Sequence, residues 1–278
     1  MRILEETATL VEKNLRKAYD TLTIDKAVVG LFFTGVKLSN GTGGLCYTPV
    51  KDIPQAVCCP SSAGRIFNPE KIIGLPAKEI LTGLTSSEPI KTAIAIATLN
   101  ALSETCRQEG LGGNYTITPN MDAQDAVRMP LDASVAVVGA FIPTLQALKA
   151  RGGNWWVIEQ EPKTLKEDEM PHFIPAEQSA GIIEKADVLI VTGVTLINHT
   201  LEGILAAAKP GAEIAVMGPT ASALPEPLFN RGVRVVGGVR VTHPDRLLEI
   251  IAVGGSGYHF LDRYADRIVI EKGWGTDY

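Results

Sequence analysis

The chain has 278 residues, 45% of them hydrophobic, with a mean hydropathy of +0.13. That is enough apolar material for one or two packed cores. Its net charge of −5, a pI near 5.5 and the lack of any block of roughly five or six like charges exclude the electrostatic footprint of a nucleic-acid or anionic-membrane binder. No apolar run approaches the roughly 18 residues that span a bilayer. The opening "MRILEETATLVEKNL" mixes acids and bases as no signal or transit peptide does, so a cytoplasmic location is expected.

In the first 20 residues Ile3, Leu4, Ala8, Leu10, Val11 and Leu15 recur at helix spacing, which predicts an amphipathic helix. "KAVVGLFFTGVKL" (26–38) is rich in β-branched and aromatic residues, "SNGTGG" turns the chain, and "LCYTPV" is again extended, predicting a hairpin or short meander. The glycines of 41–44 lack the Gly-Lys-Ser/Thr ending and following helix of a phosphate-cradling loop. "LPAKEILTGL" predicts a short helix, and 86–110 a longer one with a Ser cap, Pro89 in its first turn and Gly110 at its end. This helix is apolar nearly all round, so it is expected to be buried on several faces. Asn100 inside it must find partners or destabilise the fold.

Residues 111–134 are polar and contain Gly and Pro, and the boundary between a domain of 1–110 and one of 120–278 is placed there. Beyond it "SVAVVGAF", "WWVIEQ", "DVLIVTG", "AEIAVMG" and "VRVVGG" are short continuous apolar runs separated by helical segments. Runs of that kind mark strands buried on both faces, and their alternation with helices predicts a doubly wound parallel sheet, a Rossmann-like fold.

Ligands of such sheets lie beyond the carboxyl ends of the strands, where the strand order reverses. After the first strand stand Gly139, Ala140, Phe141 and Pro143. The second ends in Glu159, twenty residues past Gly139, where a dinucleotide fold keeps its ribose-binding acid. "VVGAFIPTL" is not G-x-G-x-x-G, which speaks against NAD and leaves open a nucleoside-like ligand without a tightly held pyrophosphate. If "MPHFI" (170–174) is an edge strand, "DVLIVTG" is the fourth strand and lies beside the first. Its turn, with Thr192, Gly193, Thr195, Asn198 and Thr200, would then face the crevice as a site for an anionic or carbonyl-bearing group. The competing reading is an ordinary helix start capped by Asn198 or Thr195. "MGPTASALPEPLF" repeats the arrangement with Gly218, Pro219 and Thr220.

The four cysteines (Cys46, Cys58, Cys59, Cys106) include no CxxC, and the four histidines stand far apart in sequence, so spacing reveals no metal site. Nor do the serines and cysteines form a visible nucleophile–base pair.

Taken together, "TGVTLINHTLEGIL", "MGPTASALPEPLF" and "GVRVVGGVRV" resemble the heavy-metal chelation domain family DUF364. "GLFFTGVKLSNGTGGLCYTP" and "IAIATLNAL" resemble the companion domain DUF4213. The resemblance implies an α/β protein: a smaller α+β, enolase-N-terminal-like domain, then a Rossmann-like one, with a ligand cleft to which both contribute. It also implies a part in heavy-metal handling through condensation or hydrolysis of a small molecule. Carried over residue by residue, Thr195, Asn198 and Thr200 match one motif, Gly218, Pro219 and Thr220 another, and Thr34 and Asn100 fall in the matching N-terminal stretches. The expectation is therefore an enzyme acting on a small heterocyclic or carboxylate-bearing molecule, with Glu159 and Asn198 as candidate catalytic groups. The alternative is a non-catalytic binder of a nucleoside-like ligand or a metal chelate. The residues name no cofactor, and self-association stays open.

Overall fold

The structure is a computed structural model that describes residues 2–52, 68 and 71–273; Cys58 and Cys59 lie outside the described residues. The first helix, α1 (Ile3–Leu15), buries Ile3, Leu4, Val11 and Leu15 and ends at Arg16, whose φ of +50° stops the helical path. The stretch read as extended over 26–38 is two strands rather than one, because the chain reverses at residues 30–32. Strands β1 (Ile24–Val29), β2 (Phe33–Leu38) and β3 (Gly43–Tyr47) form an antiparallel meander. Helix α2 (Pro89–Gln108) follows, and every residue from Thr92 to Cys106 is buried. The all-round apolar pattern thus reports a helix enclosed on several faces, packed against β2 and β3 on one side and the second half of the chain on the other.

The second half is built on one eight-stranded sheet in the order β4-β11-β10-β9-β8-β5-β6-β7. Its strands are β4 (Tyr115–Pro119), β5 (Val135–Val138), β6 (Trp155–Glu159), β7 (Phe173–Pro175), β8 (Val188–Thr192), β9 (Glu213–Met217), β10 (Val235–Val241) and β11 (Ala265–Lys272). From β5 to β10 the sheet is parallel, and β5 lies beside β8 with Val135 opposite Val188 and Val138 opposite Val191. The strand order therefore reverses where the sequence places the reversal, with β7 at the edge. Helices α3 (Ile142–Arg151), α4 (Leu201–Ala207) and α5 (Pro244–Ala252) are the longer connections.

Two strands escape the apolar-run reading. The polar stretch 111–134 contains β4, which joins the large sheet, and the chain closes with β11, antiparallel to both β10 and β4. Since β11 opposes both neighbours, β4 runs in the same direction as the parallel strands, and the loop after it opens at their carboxyl end. Buried apolar side chains of the two halves belong to one continuous cluster, Val11, Ile96 and Leu102 with Val191, Leu201 and Val236. At roughly 1.5 to 3 kcal/mol for each fully buried aliphatic side chain, this shared core ties the halves together. Among the described residues no helix is long and apolar enough to cross a membrane.

Candidate functional site

The turns after β5 and β8 do meet. Gly139 has φ +96°, and a Cβ on it would lie 2.9 Å from Thr192 Cγ2. The polar groups gathered there, however, are spent on their own backbone. Thr192 Oγ1 accepts the Val194 N–H at 3.3 Å, Thr195 Oγ1 donates to the Thr192 carbonyl at 2.6 Å, and Asn198 Oδ1 accepts both the N–H and the hydroxyl of Thr200. Gly193 is pressed on the neighbouring turn, with Ala221 N 3.1 Å from where its Cβ would be. His199 takes φ +57° and sets Nε2 3.3 Å from the Ser86 carbonyl. Neither Asn198 nor Thr195 is the helix cap: Thr192 caps the short turn at 193–196, and Thr200 precedes α4 without a side-chain cap bond, so the cluster is local turn bonding.

Glu159 requires a correction of the same kind. Its Oε2 accepts the Ala140 N–H at 3.1 Å, and Oε1 accepts those of Gln160 at 2.8 Å and Glu161 at 3.4 Å. The carboxylate thus ties the turn after β6 to the turn after β5. It is therefore turned toward the backbone and away from a ribose or a reacting atom.

The Gly218–Pro219–Thr220 motif divides into two faces. One is a staple between the halves: Thr220 Oγ1 accepts the Tyr47 N–H at 3.1 Å, and Asn100 Nδ2 donates to the carbonyls of Leu45 (2.7 Å), Pro219 (3.2 Å) and Thr220 (3.3 Å). Further along α2, Ser103 Oγ accepts the Leu224 N–H, and Arg107 Nη2 donates to the Ser222 and Ala223 carbonyls at 2.7 Å each. Arg107 also pairs with Glu104 at 3.2 Å, both side chains about 5% exposed, and Arg240 Nε lies 2.9 Å from Glu104 without its N–H pointing at it. Asn100, Ser103, Glu104 and Arg107 stand at i, i+3, i+4 and i+7, a polar stripe on one face of an otherwise apolar helix. Of these, sequence reasoning singled out only Asn100, although the spacing was there to be read. Thr34 belongs to this buried scaffold too, its hydroxyl 2.9 Å from that of Thr48.

The other face of the motif opens on a cleft of about 570 Å³ between the two halves. Gly218, at the carboxyl end of β9, has φ +116° and ψ 161°, a region open essentially to glycine alone, and a Cβ there would meet nothing within 4 Å. The cleft extends over Gly237, paired with Met217 at the end of β9, and Gly238, where β10 runs past that end. Aromatic rings form much of the wall: Phe32, Phe33 and Tyr47 from the meander, Phe141 ahead of α3, and Tyr258. The polar groups are few. Asp122 and Gln124 follow β4 and Thr144 lies in α3, while Arg267 of β11 is paired at 2.9 Å with Asp262. Asp122 caps the short helix 123–126, its Oδ1 accepting the Gln124 N–H at 3.3 Å. Gln124 Oε1 is buried with no partner among the described residues.

Of the sequence-derived candidates, Gly218 and Pro219 line this cleft; Thr34, Asn100, Gly139, Glu159, Thr192, Gly193, Thr195, Asn198, Thr200 and Thr220 do not. Phe141 and Pro143, noted after the first strand, do line it. Asp122 and Gln124 had no signal, because the strand before them is too polar to read as part of a parallel sheet.

Burial pushes the thiols of Cys46 and Cys106 up to about 12, keeping both protonated and poor metal ligands. Among the described residues no three His, Cys, Asp or Glu side chains are grouped to hold a metal ion.

Against this geometry the comparisons can be set. A family model described as "Putative heavy-metal chelation" (DUF364) matches residues 122–270, and a second with the same description (DUF4213) matches residues 11–103. An uncharacterised protein of Methanocaldococcus jannaschii is 23% identical over 188 residues, covering 66% of this chain and 67% of that protein. A DUF364-family crystal structure of unknown function from Pyrococcus horikoshii is 20% identical, with a TM-score of 0.73 over 95% of this chain and 99% of that one. Another, from Desulfitobacterium hafniense, is 18% identical, with a TM-score of 0.71 over 97% and 98%. At such identities the two structures establish the fold alone, whereas the first family model spans more than half of the chain. The chain belongs to the DUF364 family, and its N-terminal part carries the DUF4213 domain.

Proposed function

We propose that this protein binds a small, flat, mainly apolar organic molecule in the cleft between its halves. Its part in heavy-metal handling would then run through that molecule, a chelator or a chelator's precursor, and not through protein ligands to the ion. The observation that carries this reading is the cleft itself: about 570 Å³, walled by aromatic rings from both halves, with a small set of polar groups at the end of β4. Concave, mostly apolar pockets with a few convergent polar groups are the usual form of a small-molecule site. The described cysteines, buried and protonated, support the second part.

The enzymatic form of the reading, condensation or hydrolysis of the bound molecule, has one carboxylate suitably placed. Asp122 would move protons beside Gln124 and Thr144, with no covalent intermediate.

The test is a thermal-shift and calorimetric screen of heteroaromatic compounds and their metal chelates on the intact protein. Phe32→Ala and Tyr258→Ala serve as controls, since both rings reach solvent, at 42% and 90% exposure, and their loss spares the core. The expected outcome is at least one hit whose affinity falls about tenfold in either variant, the size of losing one stacked ring. Hits that bind both variants as well as the unaltered protein would place the ligand elsewhere. Turnover of a hit that vanishes in Asp122→Asn at saturating ligand would establish the enzyme, and a ligand recovered unchanged would establish the carrier.

A further inference from the structure

The cleft's polar inventory is lopsided, and its imbalance bears on the ligand. Gln124 Oε1 is a buried acceptor with no donor among the described residues. Asp122, two residues earlier on the same turn, commits one carboxylate oxygen to the Gln124 backbone, and its other oxygen has no protein partner among the described residues. Arg267, the cation of the cleft wall, is paired with Asp262. Setting that pair aside leaves Asp122 as the uncompensated charge. Gln124 Oε1 itself is closed off from the cleft, so the acceptor that stands among the aromatic residues is the anionic one, Asp122.

The carboxylate oxygen that Asp122 leaves unbonded is the acceptor the cleft offers, and a ligand N–H donating to it makes a charge-assisted hydrogen bond. A second anion brought into an apolar cleft beside a carboxylate would instead add like-charge repulsion to desolvation. The aromatic walls favour a planar ring and tolerate positive charge over their faces.

We infer that the cleft recognises a neutral or protonated heteroaromatic ring by an edge of N–H donors, such as an amino-substituted or amidine-containing ring, through the free carboxylate oxygen of Asp122. Phosphate esters and carboxylic acids are disfavoured. This rests on the cleft being the binding site, and it narrows the heterocyclic-or-carboxylate class to its nitrogen-donor members.

Calorimetry with three compounds of one size tests it: 2-aminoquinazoline, 2-methylquinazoline and quinazoline-2-carboxylate. The amino compound is expected to bind about tenfold more tightly than the methyl one, as for a hydrogen bond to a charged group, and the carboxylate least tightly. Asp122→Asn keeps a good helix cap and the side chain's shape. It should weaken the amino compound about tenfold and leave the methyl compound unchanged. Equal affinity for all three, a preference for the carboxylate, or an equal loss of the amino and methyl compounds in Asp122→Asn would overturn the inference. In each of those cases continued sensitivity to Phe32→Ala would leave the cleft reading standing. Failure of all three compounds to bind would overturn both.

Discussion

The turn after β8 and the turn after β4 stand at the same end of one sheet and carry similar stocks of polar side chains, yet they differ in what those side chains do. After β8, Thr192, Thr195, Asn198 and Thr200 bond to one another and to their own backbone. After β4, Asp122 keeps a carboxylate oxygen unspent among aromatic residues. A crowd of hydroxyls and amides at a strand end is thus a poor marker of a ligand site in itself. The better marker is a polar atom left unpaired where a cleft gives access to it, since atoms buried and unpaired also occur inside the scaffold, Asn100 Oδ1 among them.

The comparison is most strongly tested at the staple, whose polar groups bond mainly to the other half of the chain. Arg107→Ala removes the guanidinium that holds two carbonyls of the Ser222–Ala223 turn and leaves buried Glu104 with Arg240 as its one cation among the described residues. Breaking a buried pair from one side costs about 3 to 5 kcal/mol. Urea denaturation should show a loss of that size. A loss below about 1 kcal/mol, the range of exposed pairs, would show that the stripe on α2 does not hold the halves together.

Glu159→Gln is next in size. The neutral amide keeps the shape but accepts more weakly from the amides of Ala140, Gln160 and Glu161, and about 1.5 to 3 kcal/mol is expected for charged hydrogen bonds of this kind. Affinity for any cleft ligand should be unaltered. A variant as stable as the parent but impaired in binding would return Glu159 to the ligand and undo the distinction between the two turns.

Asn198→Ala carries the question to the cluster on which the sequence reading concentrated. A side-chain hydrogen bond to the local backbone is worth roughly 0.5 to 1.5 kcal/mol, and the exposure of Asn198 and Thr200 favours the lower end. Melting temperature should fall slightly with ligand affinity intact; the reverse pattern would reinstate the crevice after β8 as the site.

Most of the fold was legible because it is written in apolar periodicity. The five continuous runs became the central parallel strands, "MPHFI" yielded the edge strand β7, and the order reversed between β5 and β8 as expected. What escaped was structure without that signal. The strand "YTITP" is polar and half-exposed because it lies at the sheet edge, and β11 follows no crossover helix of the repeating kind. The cleft was lost with β4, since Asp122 and Gln124 are ordinary polar residues until that strand places them. The motif residues told a different story: Asn100 and Thr220 were rightly singled out as unusual, and what they recognise is the other half of the same chain. A sequence shows that a polar group in an apolar setting needs a partner, but whether that partner is the protein or a ligand is decided by three-dimensional closure.

The smallest expected effect lies at the opposite, amino end of β5 and β8. Asp187 is held well below the usual carboxylate range, chiefly by the Lys209 ammonium, then by the N–H (3.0 Å) and hydroxyl (2.7 Å) of Ser134. A carboxyl group whose folded value is depressed contributes stability above its unfolded value, about 3.9, and that contribution is lost as pH falls below it toward the folded value. Stability measured from pH 6 down to pH 2 should therefore decline less steeply in Asp187→Asn than in the parent, the parent's advantage at neutral pH shrinking below about pH 4. Parallel curves would mean that this end of the strand pair is held by the sheet alone. Ligand affinity at neutral pH should be the same in both proteins, since Asp187 lies at the end of the sheet away from the cleft.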